Sequence, residues 1–140
     1  IYIYIIYMVE IGKGKKKKNV PQRYVPKTLT KADKKKQEKS ILEGTDRPKL
    51  KSFKSKRSGW AKKFEDKYGY KISETAKINK EILKTKGQKE IIEKGQSAYY
   101  TSGSRPNQTP FSWGYGRLAS VIMGGPSRKI DEKIWKKYKR

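Results

Sequence analysis

The chain has 140 residues and a formal net charge of +24, with 37 lysines and arginines against 13 acids, 33% apolar residues, and no cysteine or histidine. That length holds one domain, or a small domain with a long arm, and the apolar share falls below the roughly 45–50% usual in globular domains, so one core is not expected to span it. Without cysteine or histidine there is no disulfide, no Cys/His zinc site, no thiol nucleophile and no imidazole base.

Residues 1–11 form an apolar N-terminal segment opening "IYIYIIYM". Alternating Ile and Tyr read either as an edge β-strand or as upstream read-through ahead of a start at Met8. The apolar run ends at Glu10, short of the roughly 20 residues a membrane span needs.

Residues 12–58 read as an extended basic arm with one helix, carrying 18 basic and 4 acidic residues. The run "GKGKKKK" repels itself and is expected to be mobile when unbound, so Lys15, Lys16, Lys17 and Lys18 are candidate anion-binding residues. Pro21 and Pro26 bracket "QRYV", which reads as extended. A helix is predicted over Lys31–Glu43, with Thr30 as N-cap, Asp33 three residues on, and Gly44 as its stop. Its apolar content is poor, so it is expected to be solvated or to lie on a partner. Beyond it, Lys49, Lys51, Lys54, Lys56 and Arg57 alternate with Leu50, Ser52, Phe53 and Ser55. In an extended backbone part of that run presents a row of cations. A solvated loop is the plain alternative, while Phe53 and Trp60 nearby suit a polynucleotide groove.

Residues 59–140 read as a compact helical domain, which makes the fold class mainly α: short helices with a long, extended, basic N-terminal arm. Trp60, Phe64 and Tyr68 fall four apart on one helix face that Gly69 ends. Two further short helices are predicted, one burying Ile78, Ile82 and Leu83 and stopping at Gly87, the other carrying Ile91 and Ile92 and stopping at Gly95. Short helices separated by single glycines resemble a helix-turn-helix unit. Residues 96–130 then hold no acid and only Arg105, Arg117, Arg128 and Lys129 as bases. Thr109 and Pro110 start a core helix to about Met123, with Phe111, Tyr115, Leu118 and Ile122 as its stripe. Arg105, in the turn-rich "SGSRPNQ", and Arg117 either bind an anion or tie the loop to helix carbonyls, and with Arg128 and Lys129 they are candidate anion-binding residues. A last helix is predicted from Asp131 as N-cap, with Ile130 and Trp135 as a hydrophobic staple.

The pattern "SGSRPNQ…SW…RLAS…GG…R…D", at Ser102 to Gln108, Trp113, Arg117 to Ser120, Gly124, Gly125, Arg128 and Asp131, resembles a family of small, uncharacterised basic proteins encoded by large DNA viruses of algae and protists and by tailed phages. The likeness spans residues 23–139. It implies a viral origin and no known catalytic activity, and it supplies no ligand residues.

Composition adds the kind of partner. A charge of +24 calls for a polyanion to neutralise it, and 30 of the 37 basic residues are lysine, a hydrated point charge suited to contact without sequence reading. Taken with the viral origin that the resemblance implies, the expected role is a non-enzymatic minor capsid or virion-associated protein. Its partners would be other capsid proteins and viral DNA, with no cofactor, no metal and no small-molecule substrate. The alternative is sequence-independent DNA binding in genome compaction, replication or transcription. A nuclease would need converging carboxylates, and the pairs Glu65/Asp66 and Asp131/Glu132 are adjacent, so on a helix their side chains point about 100° apart.

Overall fold

A computed structural model describes residues 7–55 and 58–140, which divide into two units. One comprises residues 7–55 with Ala98–Thr109; the other comprises residues 58–97 with Pro110–Arg140. The protein is mainly α: seven helices and one two-stranded sheet are found among the described residues. No helix among those residues is long and apolar enough to cross a membrane.

In the first unit, β1 (Met8–Ile11) pairs antiparallel with β2 (Lys18–Pro21), in a register that sets Val9 opposite Val20 and Ile11 opposite Lys18. The lysine run expected to be mobile is the connection of this hairpin, with a 3₁₀ turn at Gly14–Lys16. The strand reading of the N-terminal segment falls mostly on residues 1–6, outside the described residues; Tyr7, the next in line, is exposed. "QRYV" is not extended, because Gln22–Tyr24 close a second 3₁₀ turn in which the Gln22 side chain donates to the Val25 carbonyl at 2.7 Å.

Helix α1 (Lys31–Glu43) has the predicted ends. Thr30 Oγ1 accepts from the Asp33 amide at 3.2 Å, and Gly44 takes the left-handed φ of 67° that favours glycine. Its buried face consists of Gln37, Ser40 and Ile41, so the helix is held largely by polar contacts. Gln37 Nε2 donates to the carbonyls of Tyr24 and Ser104 at 2.9 and 3.1 Å. The apolar core of this unit is small: Ile11, Val20, Tyr24, Val25, Leu29, Ile41 and Leu50 are buried. Tyr99, fully buried, joins them from far along the chain. Its hydroxyl accepts from the Arg47 amide and donates to the Gln108 carbonyl at 3.0 Å, while the Arg47 guanidinium lies 4.7 Å from its ring centre.

The second unit holds the apolar cluster. Helix α2 (Gly59–Tyr68) starts where the Ser58 hydroxyl accepts from the Ala61 amide and ends at Gly69, with φ 76°. Phe64 is fully buried, and Trp60 and Tyr68 of the predicted stripe pack beside it. Ile78 of α3 (Thr75–Glu81) is buried with Ile82 and Leu83, as expected.

Gly87 and Gly95, however, end no helix. Both lie inside α4 (Thr85–Thr101), which is a single helix of 17 residues; the boundary between the units falls after Ser97. Glycine serves there for close approach. A Cβ on Gly87 would lie 2.7 Å from Tyr138 Cβ, and one on Gly95 would lie 2.6 Å from Gly114 Cα on α5 (Pro110–Ile122). The two helix backbones meet where neither carries a side chain, at a helix-propensity cost of about 1 kcal/mol per glycine.

Helix α5 is the core helix expected, with Leu118, Ala119, Val121 and Ile122 buried. Phe111 is the exception in its stripe, being 64% exposed. Two short helices follow, α6 (Pro126–Ile130) and α7 (Glu132–Tyr138). The predicted staple does not form: Ile130 is 69% exposed, while Trp135 packs on the core cluster. Asp131 precedes α7 but its side chain makes no cap, because it is engaged elsewhere.

Candidate polyanion-binding surface

Lysines with free reach are the groups able to meet a polyanion, and the fold sorts the chain's cations into those built into the structure and those left outside it. Arg117 is built in. Its Nε donates to Asp131 Oδ2 at 2.7 Å and its Nη2 to Asp131 Oδ1 at 2.9 Å, and Lys94 Nζ adds a contact to Oδ1 at 3.0 Å. The Asp131 side chain has no exposure, and Arg117 keeps 18%. Burial alone would raise the Asp131 pKa, but the hydrogen bonds from Arg117 and Lys94 outweigh it and hold the carboxyl below its ordinary value. Arg117, for which the sequence leaves anion binding and loop anchoring open, already has its anion inside the fold. That carboxylate is also why Asp131 does not cap α7.

Arg128 is built in as well. Its Nε and Nη2 donate to the carbonyls of Val121 and Ile122, both at 2.8 Å, and its guanidinium lies 4.3 Å from the Trp135 ring centre. It closes the C-terminal end of α5, where carbonyls lack helical partners. Arg47, which the sequence reading did not single out, serves α1 in the same way. It is buried, and Nη2 donates to the Ser40 carbonyl at 3.2 Å and to that of Thr45. Arg105 is half-buried; burial lowers its pKa, and the nearby positive charge of Arg23 lowers it further. Lys129 is exposed on α6.

The lysines behave differently. Lys15, Lys16 and Lys17 are exposed on the hairpin connection, and the partly exposed Lys18 donates through Nζ to the Thr101 carbonyl. Lys17 lies 3.5 Å from Glu10, an exposed pair of little energetic weight. One concavity is lined by Lys16, Lys17 and Lys18 of the hairpin together with Lys35, Glu38, Lys39, Leu42 and Glu43 of α1. The sequence reading found the first three but missed Lys35 and Lys39. Their spacing of four sets them on one helix face, a signal that was legible, but nothing in the sequence said that the hairpin lies beside that face.

A second group sits on residues 49–54. Lys49, Lys51 and Lys54 are exposed while Leu50 is buried, as alternation predicts. The backbone is not a straight row, because the Phe53 amide donates to the Leu50 carbonyl at 3.4 Å and folds the run into a turn. Lys56 and Arg57 lie outside the described residues.

The loop "SGSRPNQ" holds this turn. Asn107, at a left-handed φ of 61° that asparagine tolerates, accepts at Oδ1 from the Leu50 amide at 2.7 Å. Its Nδ2 donates to the carbonyls of Leu50 and Phe53 at 3.3 and 3.0 Å. From the other side, Asp33 Oδ2 accepts from the Ser52 amide at 3.1 Å and from the Ser52 hydroxyl. The Ser52 hydroxyl and then its amide hold the Asp33 carboxyl below its ordinary pKa.

A family described as "Family of unknown function (DUF5824)" matches residues 11–133, and the chain belongs to it. No curated protein and no solved structure matches the chain.

Proposed function

We propose that this member of a family of unknown function is a non-enzymatic viral structural protein. It is a minor capsid or virion-associated component that bridges neighbouring capsid proteins and sets its lysines against acidic surfaces or packaged nucleic acid on the inner side of the capsid. The observation that carries the reading is the division of labour among cations. Arg47, Arg117 and Arg128 are taken up by internal carbonyls and a carboxylate, while lysines of the hairpin, of α1 and of the 49–54 turn face outward. Arginine forks read fixed geometry; lysine ammonium groups neutralise charge wherever it lies. A surface of the second kind suits a protein that must accept an irregular polyanion.

The viral setting rests on the resemblance of the "SGSRPNQ" to Asp131 pattern to proteins of large DNA viruses and tailed phages. Synthesis would then take place in the cytoplasm or nucleus of the host cell. A non-catalytic role is supported by Asp131, the most buried carboxylate, being saturated by Arg117 and Lys94. The same lysine surface favours a second reading, sequence-independent DNA binding outside the particle in genome compaction, replication or transcription.

Quantitative mass spectrometry of purified particles of the encoding virus separates the two. The expected result is the protein at a fixed ratio to the major shell protein. Absence from particles, with recovery on intracellular viral DNA, would replace the first reading with the second.

A further inference from the structure

The turn at residues 50–53 is held far more firmly than a surface loop requires. Five hydrogen bonds with two side chains fix it: the Asn107 amide donates two and accepts one, and the Asp33 carboxylate accepts two. A sixth runs from the Thr30 amide to Ser52 Oγ at 3.3 Å, which ties the turn to the start of α1. Leu50 is buried beneath it, and the three lysines on and around it are exposed. A solvated basic loop gains nothing from such fixing. A loop that must deliver several ammonium groups to a repeating row of charges does, because the backbone freedom it would otherwise lose on binding is already gone.

We propose that this turn is a preformed phosphate-binding element for the sugar–phosphate backbone of duplex nucleic acid. Lys49, Lys51 and Lys54 are its contacting cations, and Asn107 is the positioning residue that sets them. The inference rests on the polyanion reading above and deepens it by assigning the ligand and the residue that shapes the site. Asn107 touches no phosphate itself. It acts because a single amide, held at a backbone conformation few residues adopt, reads both ends of the turn. Asp33 contributes the opposite wall, and its negative charge is satisfied by Ser52.

The test uses the full chain and a labelled duplex of arbitrary sequence, with affinity measured across a range of salt concentrations. Changing Lys49, Lys51 and Lys54 together to Gln should lower the log–log salt slope by up to about three units, near one per lost phosphate contact. Asn107→Gly removes the amide yet keeps a residue at ease with φ 61°, so the backbone position is not itself disturbed. It should lower both affinity and slope in the wild-type chain while adding little in the triple-lysine variant, since the element it positions is already silent there. Equal weakening of both chains by Asn107→Gly would show a general structural effect and overturn the positioning role. A triple variant with the wild-type slope would overturn the element while leaving polyanion binding to the hairpin and α1 lysines. A wild-type chain that does not bind duplex at low salt would overturn the element and the nucleic-acid part of the proposed function together.

Discussion

Tyr99→Ala is expected to destabilise the first unit by roughly 3–5 kcal/mol, the range for truncating a fully buried aromatic side chain. The ring is completely enclosed and its face carries the Arg47 guanidinium, so the substitution leaves a cavity and strips a buried cation of its aromatic neighbour. Tyr99→Phe separates packing from hydrogen bonding. It keeps the ring but leaves the buried Arg47 amide without its acceptor, at a cost of roughly 1–3 kcal/mol for a buried unpaired group. Hydrogen exchange across α1 is the readout, because the three tryptophans, Trp60, Trp113 and Trp135, all belong to the other unit. Faster exchange in the order wild type, Phe, Ala is expected; a Phe variant as labile as Ala would assign the effect to the hydroxyl alone.

Asp131→Ala should cost the second unit roughly 2–4 kcal/mol, somewhat under the range for breaking a fully buried pair because Arg117 and Lys94 retain 18% and 49% exposure. Tryptophan fluorescence in urea reports it. The wild-type pair also gives stability a pH signature of known sign. The folded-state pKa of Asp131 is depressed, so its contribution is fully present above the unfolded-state value near 3.9 and is lost as pH falls through the lower folded-state value. Wild type and Asp131→Ala should therefore converge in stability as the solution is acidified below about pH 4. A gap that stays constant down to the folded-state titration would mean that packing, and not the charge, carries the effect.

What the sequence disclosed follows from how local each device is. Thr30 and Gly44 bound α1, Gly69 ends α2 and Pro110 opens α5, because capping and backbone preference act within a few residues. Gly87 and Gly95 were illegible for the converse reason. A glycine that stops a helix and one that lets another segment approach look alike until Tyr138 and Gly114 arrive from elsewhere in the chain. The buried face of α1 was hidden because it is made of Gln37 and Ser40, which a hydropathy pattern counts as solvent-facing. Asp131 reads as a cap from its position, and only the fold brings Arg117 and Lys94 to it.

The basic surface divides similarly. The lysines were legible as charge, and the alternation around Leu50 was legible as exposure. That residues 12–55 are ordered through Tyr99, Ser104 and Asn107, supplied some fifty or more residues later, was not. An arm counted on its own apolar residues looks unable to fold; counted with its distant partners it has both a core and a clasp.

Hydrogen exchange on the free protein, without any polyanion, therefore tests most directly whether the lysines are displayed by a fold or ordered only by what they bind. The structure predicts slow exchange at the α1 amides and at Leu50, whose amide is bonded to Asn107, before any nucleic acid is added, with only local changes at the exposed lysines afterwards. Exchange of residues 18–50 at the rate of an unstructured peptide, slowed only by adding duplex, would contradict it.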